Sequence, residues 1–149
     1  MRGRIQVLFL LAGTASGFAH AASDQAFAAA EALLRHDASA DHTYLHDNCA
    51  HHPCFVSVAG VDLPSQVLAR LRDTGLIFLP GSGWKQEPGK HVGHDMHVSI
   101  GEPEPQSDGS FLINYSFYCG TLCHSTNTAI LKRDASGWHV MTTRLETIS

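Results

Sequence analysis

The sequence predicts an α+β domain, with two N-terminal helices packed on a curved, mainly antiparallel sheet of four to six strands. Three observations carry this prediction. Apolar residues recur at helical spacing among Ala-rich filling early in the chain. The second half alternates apolar and polar residues with a period of two, and short turns separate its alternating runs, which joins neighbours antiparallel. The chain has 149 residues, 44% hydrophobic and 16% charged. That is room for one domain with an ordinary core, and too apolar for a disordered chain.

The N-terminus reads as a signal peptide over residues 1–21. Met1-Arg2-Gly3-Arg4 is a basic start, Ile5 to Ala12 is an apolar run too short to span a bilayer, and Ala19-His20-Ala21 is a cleavage motif. Thr14 stands where a lipoprotein signal would need Cys after Leu11-Ala12-Gly13, so a lipid anchor is not expected. Residues 22–149 then form a single domain in the periplasm or outside the cell. No later apolar run approaches the roughly 20 residues of a membrane span, so no stable membrane anchor is expected. Without Arg2 and Arg4 the chain carries eight Lys or Arg against 14 Asp or Glu, a net charge of −6 with His neutral. That lacks the basic footprint of a nucleic-acid binder.

Ser23-Asp24 opens the first helix, whose apolar positions are Phe27, Ala30, Leu33 and Leu34, and which ends near His36-Asp37. Residues 37–53 are polar and read as an irregular connection. Cys54 to Val58 is β-prone and closes at Ala59-Gly60. Asp62 caps the second helix, Pro64 sits in its first turn, Val67, Leu68 and Leu71 form its stripe, and Gly75 stops it. Leu76 to Leu79 is a short strand before the loop Pro80-Gly81-Ser82-Gly83. Val92 to Gly101 alternates, whereas Glu102-Pro103-Glu104-Pro105 cannot enter a sheet interior. Phe111, Ile113, Tyr115 and Phe117 share one face of the next strand, with Asn114 and Ser116 on the other. A strand over Thr126 to Arg133 and the turn Asp134-Ala135-Ser136-Gly137 lead to a last strand with Trp138, Val140 and Thr142 on one face.

Tyr118-Cys119-Gly120-Thr121-Leu122-Cys123, then Ala129 to Arg133 and Gly137-Trp138-His139-Val140, resembles the ending of a group of small exported bacterial proteins with a YCGxLC hairpin and a closing GW-x-V strand. Ser57 to Asp62, Pro64-Ser65, Leu68 to Leu71 and Pro80-Gly81-Ser82 are similar to the same group. The resemblance covers about two thirds of residues 22–149. It implies export and a cone-shaped architecture like that of cystatins or nuclear transport factors, and no activity. His124 departs from the group's pattern, which often has a small residue there.

Cys49, Cys54, Cys119 and Cys123 all follow the signal, and an even count in an oxidising compartment implies disulfides. Four cysteines allow three connectivities, and the sequence leaves the choice open. Local pairs, Cys49–Cys54 and Cys119–Cys123, are the simplest. Ten of the 11 histidines also follow the signal. His91, His94 and His97 form one candidate metal site, for Cu or Zn. His46, His51 and His52 form another beside His42, Cys49 and Cys54. On a strand His94 would point away from His91 and His97, so the competing reading is a solvated strand edge. A disulfide would likewise remove both thiolates from the other cluster. Cys119, Cys123 and His124 have one residue too many for haem attachment.

No nucleophile elbow, phosphate loop, dinucleotide fingerprint or H-E-x-x-H is present. Asp47, Asp95 and Glu146 each stand near a His, but lone carboxylates belong most often to the surface. No catalytic or cofactor-binding residues are therefore assigned. The leading expectation is a non-enzymatic exported domain with a protein partner, such as an inhibitor or immunity protein. The alternatives are a Cu- or Zn-binding protein and a small-molecule enzyme with a pocket between helix and sheet. That last would show two titratable groups and an open cavity beside the inner sheet face.

Overall fold

The computed structural model describes residues 16–39, 43–85, 95–120 and 123–149. Helix α1 (Ser16–Asp37) runs through Ala21, the expected cleavage point. Ala26, Ala29, Ala30, Leu33 and Leu34 are buried along one stripe, and the small alanines let the helix lie close to the sheet. Arg35 and His36 fill its last turn, where cations suit the helix dipole.

The polar segment expected to be irregular contains a second short helix, α2 (Thr43–Cys49). Its Leu45 and Cys49 are four residues apart and both buried, while Tyr44 faces out. Two apolar anchors are too few to show as periodicity. The helix is secured by a disulfide from Cys49 to Cys54, at the start of β1 (Cys54–Val58), with Cα atoms 5.5 Å apart.

The next helix starts later than Asp62. That residue belongs to β2 (Val61–Asp62), Pro64 holds the N-cap position, and α3 spans Ser65–Leu71. The Asp62 carboxylate instead accepts the Ser82 amide at 2.7 Å and the Ser82 hydroxyl at 2.6 Å. Two donors from one residue outcompete a single capping bond. Gly75 ends the following turn with a left-handed φ of 77°, as its position predicted. An ionic group ties α1 to this region: Glu31 accepts from Arg70 at 2.7 Å, and Arg35 donates to Asp73 at 2.7 Å.

The remaining strands are β3 (Phe78–Pro80), β4 (Met96–Ile100), β5 (Glu104–Pro105), β6 (Phe111–Gly120), β7 (Cys123–Asp134) and β8 (Gly137–Ile148). They form one sheet in the order β2-β1-β4-β6-β7-β8, with β3 beside β1 and β5 beside β6. The sheet is thus mixed and has eight strands. β1 lies parallel to both β3 and β4; the α3 segment carries the chain back between β1 and β3, and residues 81–95 connect β3 to β4. From β4 through β6 and β7 to β8 the pairing is antiparallel, the expected meander.

Val56, Val58, Met96, Val98, Ile100, Ile113 and Leu131 fill the helix-facing side of the sheet. Helix α1 touches both β1 and β8, so the sheet curls around it. Close packing also fixes the loop after β3: a Cβ on Gly81 would lie 2.8 Å from Ser57 Cβ and 2.9 Å from the Val56 carbonyl oxygen.

Candidate functional site

Where the curled sheet meets the end of α1 and the start of α2, the described residues enclose an open cavity of about 500 Å³. Each wall has a traceable cause. Tyr115 and Phe117 come from the inward face of β6, read from alternation alone. Ser125 and Asn127 come from β7 and are buried although polar, with Asn127 Nδ2 donating to Ser125 Oγ at 3.2 Å. Tyr44 and Leu45 come from α2, and Thr143, Leu145 and Ile148 from β8.

The β8 contribution depends on two irregularities. Leu131 pairs with Val140 but Ile130 pairs with Thr142, so Met141 is an extra residue. Thr126 pairs with Thr147 but Asn127 pairs with Leu145, so Glu146 is another. Each bulge reverses the inside–outside alternation. Strict alternation puts Thr142 on the face of Trp138 and Val140; the first bulge exposes Thr142 and turns Thr143 inward. The second brings Ile148 to the cavity in place of Thr147.

The polar centre is Asp37, the last residue of α1, only 7% exposed. It lies four residues after Leu33 and three after Leu34, so it continues the buried stripe of the helix. His36 Nδ1 is 3.0 Å from Asp37 Oδ1. The Tyr115 phenol stands beside Asp37 and Thr143 in the cavity lining. Burial first, then the charge of Asp37, pushes ionisation of Tyr115 well above the usual tyrosine range. The phenol therefore keeps its proton at neutral pH. Tyr44, at the cavity mouth, is also shifted upward by burial. Its ring lies 5.4 Å from that of Phe117, which in turn meets Tyr115 edge-on at 5.5 Å. The cavity thus has one aromatic wall, a carboxylate, a hydroxyl pair and a carboxamide.

No family model, curated protein or solved structure matches the chain.

The histidines chosen from sequence do not assemble there. His91 and His94 lie outside the described residues. His97 sits on the opposite face of β4, stacked under Trp84 at 5.2 Å and 3.2 Å from the Ser57 hydroxyl; burial lowers its proton affinity. His46 is exposed beside Asp47, His51 is exposed and His52 is half-buried. Among the described residues, no three His, Cys, Asp or Glu side chains are grouped to hold a metal ion. His124 lines the cavity, but its ring packs against Tyr118 at 6.1 Å.

The cysteines are paired locally, Cys49 with Cys54 and Cys119 with Cys123, the second pair with Cα atoms 5.2 Å apart across the β6–β7 turn. Cys123 also belongs to the cavity wall, with its sulfur 3.5 Å from the Tyr44 hydroxyl. Sequence reasoning missed Asp37, Asn127 and Thr143. Asp37 alone had a usable signal, a carboxylate in phase with an apolar helical stripe.

Proposed function

We propose that this is an exported, disulfide-stabilised binding domain whose ligand is a small organic molecule seated between α1, α2 and the sheet. The supporting observation is the cavity of about 500 Å³ with Asp37, Tyr115 and Asn127 directed to it. Small-molecule sites are concave, mostly apolar and carry a few convergent polar groups. This favours the pocket reading over both a protein-only partner and a histidine metal site. The signal-like N-terminus and the resemblance to small exported proteins support export.

The test is a ligand-observed NMR screen of a fragment library against the wild type and Leu145→Trp. Leu145 is 52% exposed at the mouth, so the indole can fill the entrance without disturbing the core. Hits that disappear in L145W support the reading; no hits, or hits indifferent to the substitution, overturn it.

A protein partner is the second reading, favoured by the apolar rim of Tyr44, Leu145 and Ile148, the last 75% exposed. It predicts that Ile148→Asp abolishes capture of a specific partner from an extract of the exported compartment.

A further inference from the structure

We propose that the ligand is an organic cation, an alkylammonium head on an apolar body, with the head set between the Asp37 carboxylate and the aromatic wall. The inference rests on the cavity being a ligand site and names the chemistry that it selects.

Charge comes first. Among the described residues, Asp37 is the one carboxylate lining the cavity. His36 Nδ1 is 3.0 Å from its Oδ1, and the Tyr115 phenol stands beside it. A carboxylate offers about four acceptor positions, so these neighbours leave it able to receive a further donor. The cationic side chain on the wall, Arg144, is directed elsewhere: it is 77% exposed and its Nε lies 3.5 Å from Glu146. An anionic ligand would therefore approach Asp37 with no described Lys or Arg side chain inside the cavity to offset the repulsion. A neutral one would gain only an ordinary hydrogen bond.

The aromatic wall points the same way. Tyr44, Phe117 and Tyr115 follow one another at 5.4 and 5.5 Å between centroids, inclined at 54° and 90°. Successive inclined rings present both faces and edges along one wall, and ring faces attract cations, more strongly once water is excluded. Leu45, Leu145 and Ile148 complete the lining with aliphatic surface, suited to the body of the ligand.

Three probes of similar size separate the alternatives: 3-phenylpropylammonium, 3-phenylpropanol and 4-phenylbutyrate, each titrated calorimetrically into the mature protein. The ammonium is expected to bind at least about tenfold more tightly than the alcohol, with the carboxylate weakest. Asp37→Asn should lower ammonium affinity about tenfold or more and leave alcohol binding within about twofold. Tyr44→Leu keeps an apolar wall but removes one ring from an exposed position, so it stands even where D37N does not fold. It should weaken the ammonium by about threefold and spare the alcohol.

Equal binding of ammonium and alcohol, or an ammonium preference that survives both D37N and Y44L, overturns the cation assignment and leaves the pocket intact. Failure of all three probes, alongside L145W-sensitive hits from the fragment screen, overturns the cation assignment alone. Failure of every fragment overturns the pocket with it.

Discussion

Changing Tyr115 to Phe deletes the phenol oxygen that stands beside the buried Asp37 and Thr143, while keeping the ring that packs on Phe117. Asp37, almost fully buried, loses its polar neighbour on the sheet side. Stranding a buried polar group costs about 1–3 kcal/mol, and groups bonded to a charge lie in the upper part of that range. Thr143 is half-buried beside an open cavity, where water can replace the phenol. The loss should therefore come mainly from Asp37, about 1–3 kcal/mol at neutral pH.

The pH dependence provides a second, independent signature. The folded-state ionisation of Tyr115 lies above its ordinary value of 10.0, so its contribution is complete below that pH. Above it the unfolded chain releases the proton while the folded chain holds it, and stability falls by about 1.4 kcal/mol per pH unit. The Y115F protein has no phenol at this position to titrate. Urea denaturation of both proteins from neutral pH to about pH 11 should show the wild-type advantage shrinking along the alkaline limb. Parallel curves across that range, or a Y115F protein as stable as the wild type at pH 7, would refute the reading that the buried phenol supports Asp37.

Three further outcomes follow from features outside the cavity. Gly81→Ala places a methyl against Ser57 and the Val56 carbonyl. It should cost about 1–3 kcal/mol in chemical denaturation, because backbone rather than a flexible tip must move. His97 has a depressed proton affinity under Trp84, so its contribution is present above the ordinary value of 6.5 and lost as pH falls below it; H97Q should flatten the acid limb of a stability–pH profile. Cys49 and Cys54 are fully buried, whereas Cys119 and Cys123 are partly exposed. Graded reduction followed by alkylation and mass spectrometry should label the second pair well before the first, since thiol exchange needs access to the sulfur.

How far the fold could be read from sequence varies with the physics of each element. The inward row Ile113, Tyr115 and Phe117 is legible because a half-buried strand alternates strictly, and here nothing interrupts it before Tyr118. Gly75 is legible because a helical stop with positive φ selects its residue type. Helix α2 is not, since only two of its described residues, Leu45 and Cys49, are buried and a disulfide takes over the work of an apolar stripe. The parallel pairing of β1 with β4 is set by where a long connection returns, which no local pattern encodes. The cavity divides along the same line. Its β6 wall obeys periodicity, while Thr143 and Ile148 enter through bulges that a period-two reading crosses unaware. Asp37 reads in the sequence as the end of a helix; it is also the end of that helix's buried face.

The bulges of β8 have a consequence apart from the cavity. β8 is a 12-residue strand at the margin of the sheet, long enough to template a strand from another molecule and begin an aggregate. A recruited strand needs a regular ladder of outward amides and carbonyls. Met141 and Glu146 interrupt that ladder twice, and the charges of Arg144 and Glu146 lie between and at the interruptions. The longest straight stretch left to a newcomer is only a few residues. The distortions that turn Thr143 and Ile148 toward a ligand thus also keep the sheet from growing into its neighbours.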